Sequence, residues 1–276
     1  MPPRLILFEE YAKIAVISLA GLVMLIGGGI ALSWYNGQQP APCNVADITL
    51  YGTLVYYPSE NSGAASSAAG DGTLDQTAAE DVRQQIEQAN ADPNIKAILL
   101  QIDSPGGDPV AGEDIADALK QSGKPTVAFV ADEGTSAAYW AATGANAIFA
   151  SADSALGDIG VTNSYLQQTQ QDTANGLQFI SITAGPYKDM GNPDSPLTPA
   201  EKDLLQRDVN ITYRNFVQQV AANRNLSVAS VTAIADGSSM LGQMALQNGL
   251  IDHIGSIYDT EDYLAKKIGG PVTLCQ

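Results

Sequence analysis

The sequence predicts an α/β domain whose sheet is largely parallel. Three apolar runs carry the expectation: Ala97–Ile102, Thr126–Ala131 and Ala147–Ala150. Each has the length of a strand and too few polar positions to give it a solvent face, as strands covered on both sides do. Segments of helical period alternate with them, and strand–helix–strand–helix order pairs strands in parallel through crossovers.

The first strand is expected at Ile48–Tyr57, rich in β-branched and aromatic residues with Gly52 inside it. Ser59–Gly72 is rich in Gly, Ala and Ser and predicts a loop. Thr77–Asn90 places Val82, Ile86 and Ala89 at helical spacing with charges between them, and Asp92-Pro93 ends that helix. The run at 97–102 empties into the turn Asp103-Ser104-Pro105-Gly106-Gly107. A helix follows from Val110 to Lys120, with Ile115, Ala118 and Leu119 on one side. The strand at 126–131 leads through Gly134-Thr135-Ser136 into small, helix-tolerant residues as far as Gly144. Beyond the run at 147–150, Phe179–Thr183 predicts another strand, and Gly185–Met190 a turn. Thr198 opens a long helix to Arg224: Thr198 is a cap with Glu201 three residues on, and Pro199 takes the first helical position. Met240–Asn248 predicts a short helix stopped by Gly249. Tyr258–Lys267 is the last helix and Pro271–Leu274 a final strand.

Composition bounds the function. Lys and Arg number 13 against 30 Asp and Glu, a net charge of −17. That argues against nucleic acid, whose binding needs Lys and Arg to neutralise phosphates. Ile14–Trp34 carries no charge and, as a helix, is long enough to cross a hydrocarbon core of about 30 Å. Trp34 and Tyr35 stand where an interfacial aromatic belt is expected. The run is longer than a cleaved signal's apolar core and lacks a good small-x-small site, so a retained anchor is expected. Arg4 and Lys13 precede it and the next basic residue is Arg83, which puts the N-terminus in the cytoplasm and the large domain outside. The expected organisation is a cytoplasmic segment at 1–13, a transmembrane anchor at 14–35, a linker at 36–45 and one extracytoplasmic domain at 46–276. The two cysteines, Cys43 and Cys275, either pair or remain free, since spacing does not decide pairing. One histidine and no ligand-spaced cluster argue against a metal site, and no phosphate-binding loop implies a nucleotide.

Chemistry is expected at the carboxyl ends of the strands, where parallel α/β folds gather their sites. Three turns there offer complementary parts. Gly106-Gly107 offers unhindered N–H groups for an oxyanion, Ser136 a hydroxyl, and Lys188 an amine. A Ser–Lys pair is a recognised way to activate a serine, provided burial lets the lysine shed its proton. Ser136 also reads as an ordinary helix cap. A Ser-His-Asp triad would need His253, which has the marks of a surface or turn residue.

Three blocks resemble the SppA-type signal peptide peptidases, membrane-anchored serine peptidases of the ClpP/crotonase fold. They are Asp92–Gly107 with its Asp-Ser-Pro-Gly-Gly ending, Ala184–Pro193 around Lys188, and Gly249-Leu250-Ile251-Asp252. The resemblance extends from about Ile48 to Leu264. It implies repeated β-β-α units, Ser136 as nucleophile, Lys188 as general base, and oxyanion donors from Gly106 or Gly107 and from Ala137. It also implies apolar peptide substrates such as signal-peptide remnants, assembly into a homo-oligomer, and no cofactor. Two departures stand out. Ala137-Ala138 replaces the family's usual Gly-Gly after the nucleophile, and Asp158 replaces a serine that helps orient the lysine. A carboxylate at 158 modulates the lysine by favouring its protonated form. The alternative these departures raise is a catalytically impaired member serving as a membrane-tethered peptide-binding scaffold.

Overall fold

A computed structural model describes residues 43–57 and 76–275. The expected anchor at 14–35 and the loop at 59–72 lie outside the described residues. Among those described, no helix is long and apolar enough to cross a membrane.

The expected parallel sheet is present. Strands β1 (Val45–Val55), β2 (Gln76–Ala78), β3 (Ala97–Gly107), β4 (Thr126–Thr135), β5 (Ala147–Ala150) and β8 (His253–Ile254) run in the order β2-β1-β3-β4-β5-β8, each pair parallel. β9 (Leu274–Cys275) adds in parallel to β1, where Cys43 and Cys275 form a disulfide. Alternate residues of β3 serve two cores. Ile98, Leu100 and Ile102 face the large one, Ala97 and Leu99 the smaller one under Leu264. Burial on both faces is why that run shows no polar alternation.

Helices α1 (Ala79–Ala91), α2 (Pro109–Gln121) and α3 (Ser136–Ala142) cover the large core. α2 starts where Asp108 accepts a hydrogen bond from the Val110 N–H, with Pro109 in the first turn. α3 crosses α2 at almost bare backbone. A Cβ on Gly112 would stand 2.4 Å from the Ala137 carbonyl oxygen, and one on Gly144 2.1 Å from that of Ala116. The nucleophile candidate therefore sits on a helix clamped from behind.

Both long strands outrun the flat sheet. β3 shifts register between Ile102 and Ser104, and β4 leaves β5 after Val130 to pair Glu133–Thr135 with β6 (Ala155–Gly157). β6 in turn pairs antiparallel with β7 (Ser239–Leu241). These extensions carry the strand ends up to the site.

Beyond β6 the chain leaves the core. Between Thr162 and Lys188 nearly every residue is exposed, and the one helix there, α4 (Thr169–Ala174), buries nothing. The strand expected at Phe179–Thr183 does not form: the segment is irregular, with Ile180 73% and Ile182 96% exposed. Its β-branched composition suits a pleated surface, but no neighbouring strand offers one. α5 (Pro199–Asn223) has the expected capping box at Thr198 and Glu201, and its buried residues, Phe216, Val217, Val220 and Ala221, all lie in its second half. α6 (Val228–Thr232) closes the turn after α5, and the short helix expected at 240–248 divides into β7 and α7 (Gly242–Gln247). α8 (Ile257–Ile268) starts in a second capping box and ends at the left-handed Gly269.

Candidate active site

Ser136 is the first residue of α3, reached directly from β4, and its φ is +52°. The cap position belongs to Thr135, which sets aside the reading of Ser136 as a plain cap. Among the described residues only Ser136, Asp158 and Asn225 are non-glycines at positive φ. Asn225 follows the end of α5, where such a residue ordinarily terminates a helix. The other two line one cavity. A side chain in the left-handed region costs about 1–2 kcal/mol, a cost that Ser136 bears where it lines the cavity.

The cavity holds about 520 Å³ and is lined by Gly107, Ser136, Ala137, Trp140, Asp158 and Phe216, among others. Trp140 and Phe216 are buried and stacked, ring centroids 4.5 Å apart and 5° from parallel. Asp158 lies beside the serine through strand register: Thr135 pairs with Gly157, so the following residues, 136 and 158, leave the strand pair together. Burial, and then the charge of Glu133, hold the Asp158 carboxyl above the ordinary aspartate range.

The two glycines have separate tasks. Gly106 has φ +89°, and a Cβ there would meet the Ala137 nitrogen and the Thr135 oxygen at 2.7 Å. Its own N–H donates to the Ser104 hydroxyl at 3.1 Å, and that hydroxyl donates to the Gly52 carbonyl. Gly106 thus shapes the turn but has its N–H engaged. Gly107 differs. The next N–H along, on Asp108, donates to the Leu54 carbonyl. Successive N–H groups of a strand point opposite ways, so that of Gly107 points away from β1. Ala137 keeps its N–H outside the helical ladder by position in the first turn.

Lys188 lies on the exposed segment, in the expected turn, where its N–H donates to the Gly185 carbonyl. It does not line the cavity and makes no hydrogen bond with Ser136 within the chain. One copy of the chain brings Ser136, Gly107, Ala137 and Asp158 together and leaves Lys188 outside. His253 is in β8, its ring 4.4 Å from that of Phe149 and away from the cavity. Asp252, beside it, is structural: it accepts from the Ile148 N–H and from both terminal nitrogens of Arg224. Sequence reasoning missed Trp140 and Phe216 as a cavity floor; their aromaticity reads equally well as core. No group of His, Cys, Asp and Glu among the described residues is arranged to hold a metal.

The profile of peptidase family S49 matches residues 118–269, and that of Clp protease residues 69–155. Protease 4 of Salmonella typhi is 29% identical over 246 residues, covering 86% of this chain and 39% of that protein. The chloroplastic serine protease SPPA of Arabidopsis thaliana is 30% identical over 182 residues, covering 65% of this chain and 27% of that one. A ClpP1 mutant from Listeria monocytogenes superposes with a TM-score of 0.49 at 15% identity, covering 77% of this chain and 92% of that chain. The chain spans 54% to 63% of the length of the first curated relatives it matches.

Proposed function

The chain belongs to peptidase family S49, and from that premise we propose that it is a serine endopeptidase whose nucleophile is Ser136. The observation that carries the reading is the left-handed Ser136 at a strand-to-helix turn, its neighbours Gly107 and Ala137 on the same cavity. Strain of this kind, held by surrounding packing, gathers at sites where a side chain must be presented. Gly107 and Ala137 supply the two N–H donors for the oxyanion.

Lys188 is the proposed base, contributed by a second copy of the chain. A lysine acts as a base only where burial favours its neutral form, and position 188 is exposed in a single copy. The segment bearing it also exposes Leu166, Leu177, Ile180 and Ile182. An apolar patch of that kind marks a contact surface. With the amine in place, it takes the Ser136 proton as Oγ bonds to the peptide carbonyl carbon. The oxyanion forms against Gly107 and Ala137, the C–N bond breaks, and the lysine's proton goes to the leaving amine. Water then attacks the ester carbonyl carbon and gives a proton to the lysine; the bond from that carbon to Oγ breaks, the lysine's proton passes to Oγ, and the acyl group leaves as a carboxylic acid.

The proposed setting is a single-pass anchor at 14–35 with the catalytic domain outside the cytoplasm. The Cys43–Cys275 disulfide supports this, since such bonds persist in oxidising compartments. Proposed substrates are membrane-proximal peptides, including signal-peptide remnants. The test uses full-length protein and a fluorogenic peptide. Ser136→Ala and Lys188→Ala are each expected to be inactive, and mixing the two to restore turnover. Activity surviving in either single variant refutes the dyad, and inert mixtures refute the sharing of sites between copies.

A further inference from the structure

Resting on the peptidase reading, and deepening it, we propose that the cavity selects a lysine or arginine side chain on the acyl side of the scissile bond, with Asp158 as the residue that recognises its charge. Three observations converge. First, among the described residues the cavity has carboxylates and no cation. Those lining it include Asp158 and Asp208 but no Lys, Arg or His. Asp208, at the exposed end, is paired with Arg207 at 2.8 Å. Asp158 makes no side-chain hydrogen bond to any described residue, and register puts it beside Ser136. It is a half-buried acid with no described side chain paired to it.

Second, the floor suits a long aliphatic stem. Trp140, one helical turn beyond Ser136, stacks on Phe216, and both are buried. Lysine and arginine bury their methylenes on such surfaces while the charged head stays near polar groups. The cavity's volume of about 520 Å³ accommodates either. The side chain nearest the nucleophile belongs to the residue whose carbonyl is attacked, which fixes the acyl side.

Third, the proposed mechanism leaves Asp158 in need of another cation. A carboxylate that held Lys188 as an ammonium would prevent it from taking the Ser136 proton. In a working site the cation beside Asp158 is therefore the substrate's own. Supplying it also relieves the negative field that Asp158 and Glu133 would cast on a developing oxyanion. Signal-type peptides fit this demand, because a basic stretch adjoins their apolar core.

The test compares matched peptidyl coumarin amides that differ only at the acyl-side residue: lysine, arginine, norleucine or glutamate. With the full-length wild-type protein, kcat/KM for lysine and arginine should exceed that for norleucine by about tenfold or more, the scale of a hydrogen bond to a charged group. Glutamate should be poorest. Asp158→Asn should bring the lysine-to-norleucine ratio close to one. Wild-type protein that cuts the norleucine substrate as fast as the lysine one overturns the proposal. So does an Asp158→Asn variant that keeps the ratio while its pH profile moves, since Asp158 would then serve Lys188. A second arm measures binding of fluorescent lysine and norleucine peptides to Ser136→Ala protein by anisotropy, expecting the same preference. Binding needs no turnover, so a protein that is no peptidase would fail the first arm alone, whereas equal binding of the two peptides refutes the selectivity itself.

Discussion

Replacing Ser136 by glycine should make the protein more stable than replacing it by alanine. The reason lies in the backbone: φ at 136 is +52°. A residue with a Cβ in that region costs about 1–2 kcal/mol, and glycine costs nothing there. Against this, glycine's freedom in the unfolded chain takes back about 0.4–1 kcal/mol. The balance favours Ser136→Gly over Ser136→Ala by about 0.5–1 kcal/mol. Both variants remove the hydroxyl, so their difference reads strain and not chemistry. Urea unfolding followed by circular dichroism, at one protein concentration and with m-values compared, is the assay. For a domain of this size the same difference amounts to a few degrees in Tm, at about 2–4 °C per kcal/mol. Alanine equal to or more stable than glycine would show that position 136 stores no such strain. The inference from strained backbone to presented nucleophile would then lose its footing.

Three further outcomes follow from the packing and the charges. Gly112→Ala and Gly144→Ala should each cost about 1–3 kcal/mol by overpacking, while Gly123→Ala, with nothing within 4 Å, should not; urea midpoints distinguish them. Asp252→Ala should cost about 2–3 kcal/mol, because it strips the largely buried Arg224 and the Ile148 N–H of one acceptor. Asp158→Asn should stabilise the protein at neutral pH. Burial and Glu133 raise the Asp158 carboxyl in the folded state. Its penalty is therefore absent below the unfolded aspartate range, and grows as pH rises through the window up to the raised folded value. Denaturation midpoints from acid to neutral pH should show the variant's advantage appearing over that window, and an advantage largest in acid would contradict it.

Much of the fold was legible because its strands are buried on both faces. Residues 97–102 and 126–130 have almost no solvent side to hide behind, and the cap at Thr198 is written in residue type; those at Asp108 and Ser256 went unread. The strands of two or three residues, β2, β6, β7, β8 and β9, are too short to carry a period. Phe179–Thr183 misled for another reason: its composition demands burial that a single copy does not provide. At the site, residue types offered Ser136 and the glycine pair as candidates, and the family resemblance singled out Ser136 over a plain cap. That the Gly106 N–H is engaged depended on Ser104, whose hydroxyl accepts from it. The adjacency of Asp158 to Ser136 depended on the pairing of β4 with β6, a register no local pattern encodes.

The bond between Cys43 and Cys275 has a mechanical consequence. Cys43 stands two residues before β1, and Cys275 ends β9, the short strand laid along β1. Any tug on the chain ahead of Cys43 would otherwise fall on the first rungs of β1 alone. The sulfur link divides that load between two strands, so the sheet resists being peeled from the corner where β1 begins.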